Sequence, residues 1–205
     1  MGEILKIFSD WLTPIGEKDR DDIHRDGDWH ESFHCWFYNH FDHETVIYFQ
    51  KRSNIKKDFP NLYDITAAGH IGVKESRIEG GLREIQEELG LELQEEKIRY
   101  TGFYKEQLQM KTFNDREICH IYLFPYDETL PLMMNEEVTD VVKVNIEDFL
   151  SMISKNRTFL IARSIMSNQN ETLQRHHFCP HDFNYYQHVI QEILQTRETS
   201  FFDNR

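Results

Sequence analysis

The segment from Gly69 to Leu91, GHIGVKESRIEGGLREIQEELGL, constrains this chain more than any other. Ser76 followed three residues later by Glu79 is a capping box, which starts a helix at Ser76. Gly90 directly after Leu89 supplies a C-terminal stop, so the spacing predicts a helix over Arg77–Leu89. At about 100° per residue, Leu82, Ile85 and Leu89 fall within an arc of roughly 60° and make a core face. Glu84, Glu87 and Glu88 fall on another arc, roughly opposite, and stack three carboxylates within about a turn. Like charges at that spacing repel unless a cation sits among them. Arg83, one turn before Glu87, offsets only part of the repulsion. Oxygen-rich clusters of this kind suit magnesium or manganese, which are hard cations.

A solvated amphipathic helix explains a run such as EIQEEL, but not the whole set of Gly69, Glu75, Arg83, Glu84, Glu87, Glu88 and Gly90. Seven specified residues, each at a background near ~6%, recur by accident in well under about one chain in a hundred thousand. The spacing resembles the Nudix box: Gly, five residues, Glu, seven residues, Arg-Glu, apolar, any, Glu-Glu, any, Gly, apolar. Every defined position matches. The resemblance implies a loop-helix-loop carrying metal ions in an α/β (α+β) fold, a Nudix-type α/β/α sandwich with a mixed central sheet. It implies that Glu87 and Glu88 bind magnesium or manganese, with the Gly69 carbonyl as a further ligand. Glu84 would be a ligand or the base, and Arg83 would orient the glutamates. Family members differ in which carboxylate activates water, so Glu84, Glu87 and Glu117 all stay in the catalytic set. The implied reaction is hydrolysis of a phosphoanhydride bond in a small molecule, either a nucleoside diphosphate derivative or another diphosphate. The chemistry agrees: a diphosphate is already anionic, and metal ions both neutralise it and lower the pKa of bound water.

Three further stretches, WHESFHCWFYN (Trp29 to Asn39), ITAAGH (Ile65 to His70) and REICHIYLF (Arg116 to Phe124), look like type I isopentenyl diphosphate isomerase. That resemblance implies that His24, His30, His70, Asp115 and Glu117 correspond to the isomerase's metal-binding set. Glu117 is taken here as a metal ligand or catalytic group from outside the box, and His24, His30 and His70 as substrate-site residues. The isomerase also needs a catalytic cysteine two residues before the loop histidine, where this chain has Ala68. Hydrolysis is therefore favoured over isomerisation. A non-catalytic Nudix ligand sensor is the third alternative, and it normally loses box carboxylates that are all present here. Glu136 and Glu137 read equally well as an extra ligand and as a solvated acidic loop.

The remaining features bound the setting. A chain of 205 residues is long enough for one full core, expected as a single Nudix domain over 1–205. An N-terminal hairpin (about 1–28) and a C-terminal helical extension (about 156–205) should flank it. Within it the patterns predict strands at Phe33–Tyr38, Thr45–Phe49, Asp64–Ala68, Ile98–Tyr104, Ile118–Phe124 and Val138–Val144. Helices are expected at Ile146–Ser154 and about Asp182–Gln195. The net charge of −13 argues against a nucleic-acid partner, and no apolar run approaches the ~20 residues of a membrane span. The N-terminus lacks a signal peptide's basic region, and three widely spaced cysteines suggest no disulfide framework, so a cytoplasmic location is expected. A homodimer is allowed for. The run HHFCPH (His176 to His181) matches no standard zinc spacing and reads as a polar loop. Phe183, Tyr185 and Tyr186 could stack on a base, but so many aromatics mostly mean core.

Overall fold

The computed structural model describes residues 2–110 and 113–202. Its elements run β1 (Ile4–Phe8), β2 (Pro14–Asp19), α1 (Arg20–Asp26), β3 (Trp29–His40), β4 (Thr45–Arg52), β5 (Tyr63–Ile65), β6 (Ala67–His70) and α2 (Arg77–Leu89). They continue with β7 (Arg99–Met110), β8 (Phe113–Pro125), β9 (Val138–Asn145), α3 (Ile146–Ile153), β10 (Leu160–Ser164), β11 (Asn170–Leu173) and α4 (Phe183–Phe202).

The central strand is β3, and nearly all its side chains are buried because helices cover both faces. Phe33, Cys35 and Phe37 point to one side, where they share a core with Ile85 and Leu89 of α2. Trp36 and Tyr38 point to the other, against Phe149 of α3 and Tyr185 and Val189 of α4. Burial of each Phe, Ile, Leu or Val among them contributes about 1.5–3 kcal/mol. This is the layered sandwich expected from the box. Strand β3 runs parallel to β8 from Trp29 to Tyr38, and antiparallel to β1, β6 and β4 at successive stretches. The sheet is therefore mixed.

Three stretches differ from the sequence reading. The end of the expected N-terminal hairpin is helical: Asp19 caps α1 by accepting from Asp21 N at 3.0 Å, and Gly27 ends it at φ 73°. The region expected to be helical from about 156 begins instead with the hairpin β10–β11, and its helical part is α4. Leu160, Ala162 and Ser164 alternate inward along β10. The expected strand at Asp64–Ala68 is split at Thr66, whose hydroxyl donates to Tyr48 O (2.5 Å) and accepts from Phe37 N (3.0 Å).

Candidate metal and hydrolase site

Helix α2 starts and stops where the sequence places it. Ser76 and Glu79 form the reciprocal capping box, and Gly90 closes the helix at φ 69°. Gly69 lies so close to the Glu84 side chain that a Cβ there would sit 2.1 Å from Glu84 Cδ, so any larger residue would displace that carboxylate from its place beside Arg83. Arg83 gathers the carboxylates around it: Nε donates to Glu75 Oε1 (2.8 Å), and Nη1 to Glu84 Oε1 (2.8 Å) and Glu87 Oε2 (3.0 Å). Glu75 also accepts from Gly72 N (3.1 Å), tying the loop to the helix.

Glu88 departs from the simple amphipathic picture. It shares the acidic arc with Glu84 and Glu87 yet is only 2% exposed, because its edge of the arc packs on β4 and β6 while Glu87 faces water. Its Oε2 accepts from Gln50 Nε2 (3.1 Å) and Ala68 N (3.2 Å). Burial pushes the Glu88 carboxyl up to about 8. Burial also raises Glu84, with Arg83 opposing.

A second group gathers from four elements: His24 on α1, His30 on β3, His70 at the end of β6, and Asp115 and Glu117 on β8. The ring nitrogens of His24, His30 and His70 lie within 4.8 Å of one another, as do ligand atoms of His30, Asp115 and Glu117. Asp115 Oδ1 is 3.6 Å from His24 Nε2 and 3.5 Å from His30 Nε2. Glu117 Oε1 is 3.9 Å from His30 Nε2 and 3.8 Å from His70 Nε2. Burial holds His24 at about 4 and His30 at about 3, so both imidazoles are neutral and able to ligate near neutral pH. Burial, and then the Glu117 charge, push Asp115 well above the usual carboxylate range. Burial would do the same to Glu117, but His34 and the nearby imidazoles hold it well below.

The residues fit a divalent cation. Asp115 Oδ1 is buried and makes no hydrogen bond, a costly state that a cation among these groups would relieve. Three imidazoles with two carboxylates suit manganese or another transition ion better than magnesium, which prefers oxygen. Glu84 and Glu87 are instead held by Arg83. A cavity of about 480 Å³ joins the two groups, with Gly69, Glu84, Glu87, Asp115 and Glu117 in its wall. Of the three histidines expected to meet substrate, His70 lines this cavity, whereas His24 and His30 are buried behind it. Their ring nitrogens lie close enough together that they could hold a metal ion. Of the acidic pair just before β9, Glu136 and Glu137, Glu137 reaches the cavity and ion-pairs with Lys56.

The NUDIX domain family matches residues 28–163. The chain belongs to the Nudix family. An uncharacterised Nudix hydrolase of Clostridium acetobutylicum is 32% identical over 201 residues, covering 94% of this chain and 97% of that one. Isopentenyl-diphosphate Delta-isomerase 1 of Photorhabdus laumondii is 28% identical over 147 residues, covering 71% and 81%. In fold, the chain is similar to the crystal structure of a Deinococcus radiodurans protein, with TM-score 0.55, 18% identity and coverage of 76% and 91%. Nudix hydrolases act on diphosphate-linked substrates, which is the reaction class of this chain.

The sequence reading missed His34, Tyr185 and His181 as parts of this site. His181 lines the same cavity but is 8% exposed, clamped between Glu106 Oε2 (Nδ1, 2.6 Å) and Asp64 Oδ1 (Nε2, 2.9 Å). Burial alone would lower its pKa, but the two carboxylates hold it well above the ordinary value. It is a buried, ion-paired strut within the polar loop that precedes α4. No short-range pattern could have shown this, since Asp64 and Glu106 are remote in sequence.

These shifts set a pH dependence for the metal-free protein. Between the ordinary carboxyl value of 4.5 and about 8, folded Glu88 keeps a proton that the unfolded chain releases. Stability therefore falls as pH rises through that window. Asp115 acts in the same sense. His24 and His30 act oppositely, but their effect is complete by about 6.5, the ordinary histidine value. The ion-paired His181 also loses stability as pH rises through its raised pKa. Melting temperature of the metal-free protein should thus decline from pH 6.5 to 8, and Glu88→Gln should flatten the decline. An unchanged slope in that variant, followed by scanning fluorimetry, would contradict the assignment.

Proposed function

We propose that this Nudix chain hydrolyses a phosphoanhydride bond in a small diphosphate-linked molecule, a nucleoside diphosphate derivative or a related diphosphate, with magnesium or manganese. One observation carries the reading: the cavity wall combines carboxylates Glu84, Glu87 and Glu117 with the cations Arg20, Arg52, Lys56 and Lys57. Such a wall matches a ligand that is anionic along a chain of phosphates and needs cations on one side and a metal on the other. When bound, the metal supplies Lewis-acid activation of the phosphate and a water of lowered pKa. Glu84, its carboxyl raised by burial, is suited to take the water proton. Glu117, held ionised, is suited to ligation. Arg83 keeps Glu75, Glu84 and Glu87 in register. Among the described residues no helix is long and apolar enough to cross a membrane. Three free, buried cysteines are in keeping with a reducing, cytoplasmic setting.

The test is a panel of nucleotide sugars, dinucleotides, nucleoside triphosphates and prenyl diphosphates with magnesium or manganese, reading phosphate-containing products. No turnover of any member would overturn the reading. The isomerase alternative has one observation behind it. Cys119 Sγ lies 3.7 Å from Glu117 Oε2 and packs in the core that includes Ala68, where the isomerase thiol would stand. Yet Cys119 is fully buried, and burial raises its thiol well above the ordinary value, so it is a poor proton donor. Isopentenyl diphosphate should give no dimethylallyl diphosphate by NMR. Conversion at an enzymatic rate, lost in Cys119→Ala, would make the isomerase reading the correct one.

A further inference from the structure

We propose that Tyr185, on α4 and beyond the matched family region, is a positioning residue. It fixes the tautomer of His34 so that Nε2–H points at Glu117 and leaves the other Glu117 oxygen for the imidazole cluster. The inference rests on the reading of Glu117 as a site carboxylate.

The direction of each hydrogen bond follows from one end. Trp36 Nε1 lies 3.0 Å from Tyr185 Oη. An indole N–H can only donate, so Tyr185 Oη accepts there and its single proton remains for another partner. That partner is His34 Nδ1, at 2.7 Å. His34 Nδ1 is therefore an acceptor, and the ring's proton must sit on Nε2. Nε2 is 3.2 Å from Glu117 Oε2 and 3.1 Å from Ser32 Oγ. Ser32 Oγ in turn donates to the same Oε2 at 3.1 Å. His34 Nε2–H and Ser32 Oγ–H thus hold Glu117 Oε2, with the weaker Cys119 thiol beside them, while Oε1 faces His30 and His70. The reverse tautomer would set a lone pair against a carboxylate oxygen.

Burial gives the chain its force. Trp36 and Tyr185 are 0% exposed, and Ser32 and His34 are 2%, so bulk water cannot stand in for a lost partner. Burial also raises the Tyr185 phenol well above its ordinary value, keeping its proton in place. The position of Tyr185 is set one turn earlier. Glu106 accepts from His181 Nδ1 at 2.6 Å and from Asp182 N at 2.7 Å, clipping the start of α4 to β7. Alternation does the rest: His30, Ser32, His34 and Trp36 share one face of β3, and β8 runs beside it with His30 opposite Glu117. Partners that orient a ligand in this way typically change metal affinity by about 10–100-fold.

Two readouts on the full-length, metal-free protein test this without any substrate. Long-range proton–nitrogen correlation on labelled protein should show His34 as the Nε2–H tautomer, its signals identified by their loss in His34→Gln. In Tyr185→Phe, which keeps the ring, that tautomer should give way to a mixture. Manganese affinity, titrated with the metal alone, should fall about tenfold in Tyr185→Phe. In a His34→Gln background, where the amide donates without a tautomer, adding Tyr185→Phe should cost nothing further. A wild-type His34 that is Nδ1–H or doubly protonated overturns the proposal. So does a Tyr185→Phe protein with unchanged tautomer and manganese affinity. If wild-type protein binds no manganese, the metal reading fails, and the NMR pattern alone decides this proposal.

Discussion

Glu84→Gln and Glu88→Gln should each lower kcat by about 10³, with chelation by excess EDTA abolishing turnover of the wild type. Glutamine keeps the shape of both side chains. At position 88 its carbonyl oxygen can still accept from Gln50 and the Ala68 N–H, so the fold survives. On the proposed reading, what is lost is the carboxylate that takes the water proton at position 84 and a buried carboxylate that would hold a metal ion at position 88. The loss should appear in kcat and not in KM, as for groups that act on the transition state. The melting temperature of Glu88→Gln should hold near pH 7, since the carboxyl is already protonated there and glutamine keeps both accepted hydrogen bonds. Full turnover in either variant, or persistent activity in chelator, would remove the box from the mechanism.

A second large effect concerns the histidine cluster. His30→Ala and Asp115→Asn should weaken manganese binding to the purified protein by at least about 100-fold, since loss of a ligand exceeds the effect of losing a supporting group. Glu87→Gln should leave that binding intact, because Glu87 is engaged by Arg83 and lies outside the cluster. Free manganese followed by electron paramagnetic resonance separates these cases. If Glu87→Gln abolishes binding and His30→Ala does not, the tight site lies in the box, and the cluster is a hydrogen-bonded core.

The sequence by itself determined the features whose causes are local. Helix α2 lies where its capping box and Gly90 place it, because a cap is made between residues three or four apart. The box spacing identified the reaction class, since seven residues on one loop and helix need no tertiary information. Helix α1 and the hairpin β10–β11 were missed: the first is a short polar helix set mainly by its Asp19 and Gly27 caps, and the second has a short alternation. The tertiary structure alone decided what depends on which strands lie side by side. Glu88 is buried with a raised carboxyl because one edge of the acidic arc of α2 packs on β4 and β6, which hydrophobic periodicity cannot show. His24, His30 and His70 become a cluster that could hold a metal ion, with His24 and His30 buried away from the cavity wall, only when α1, β3 and β6 converge. His181 and Tyr185 enter the site because α4 folds back onto β3 and β7 from far along the chain. Proton positions in that network follow from partners up to 151 residues apart, so they exist as constraints only in the folded state.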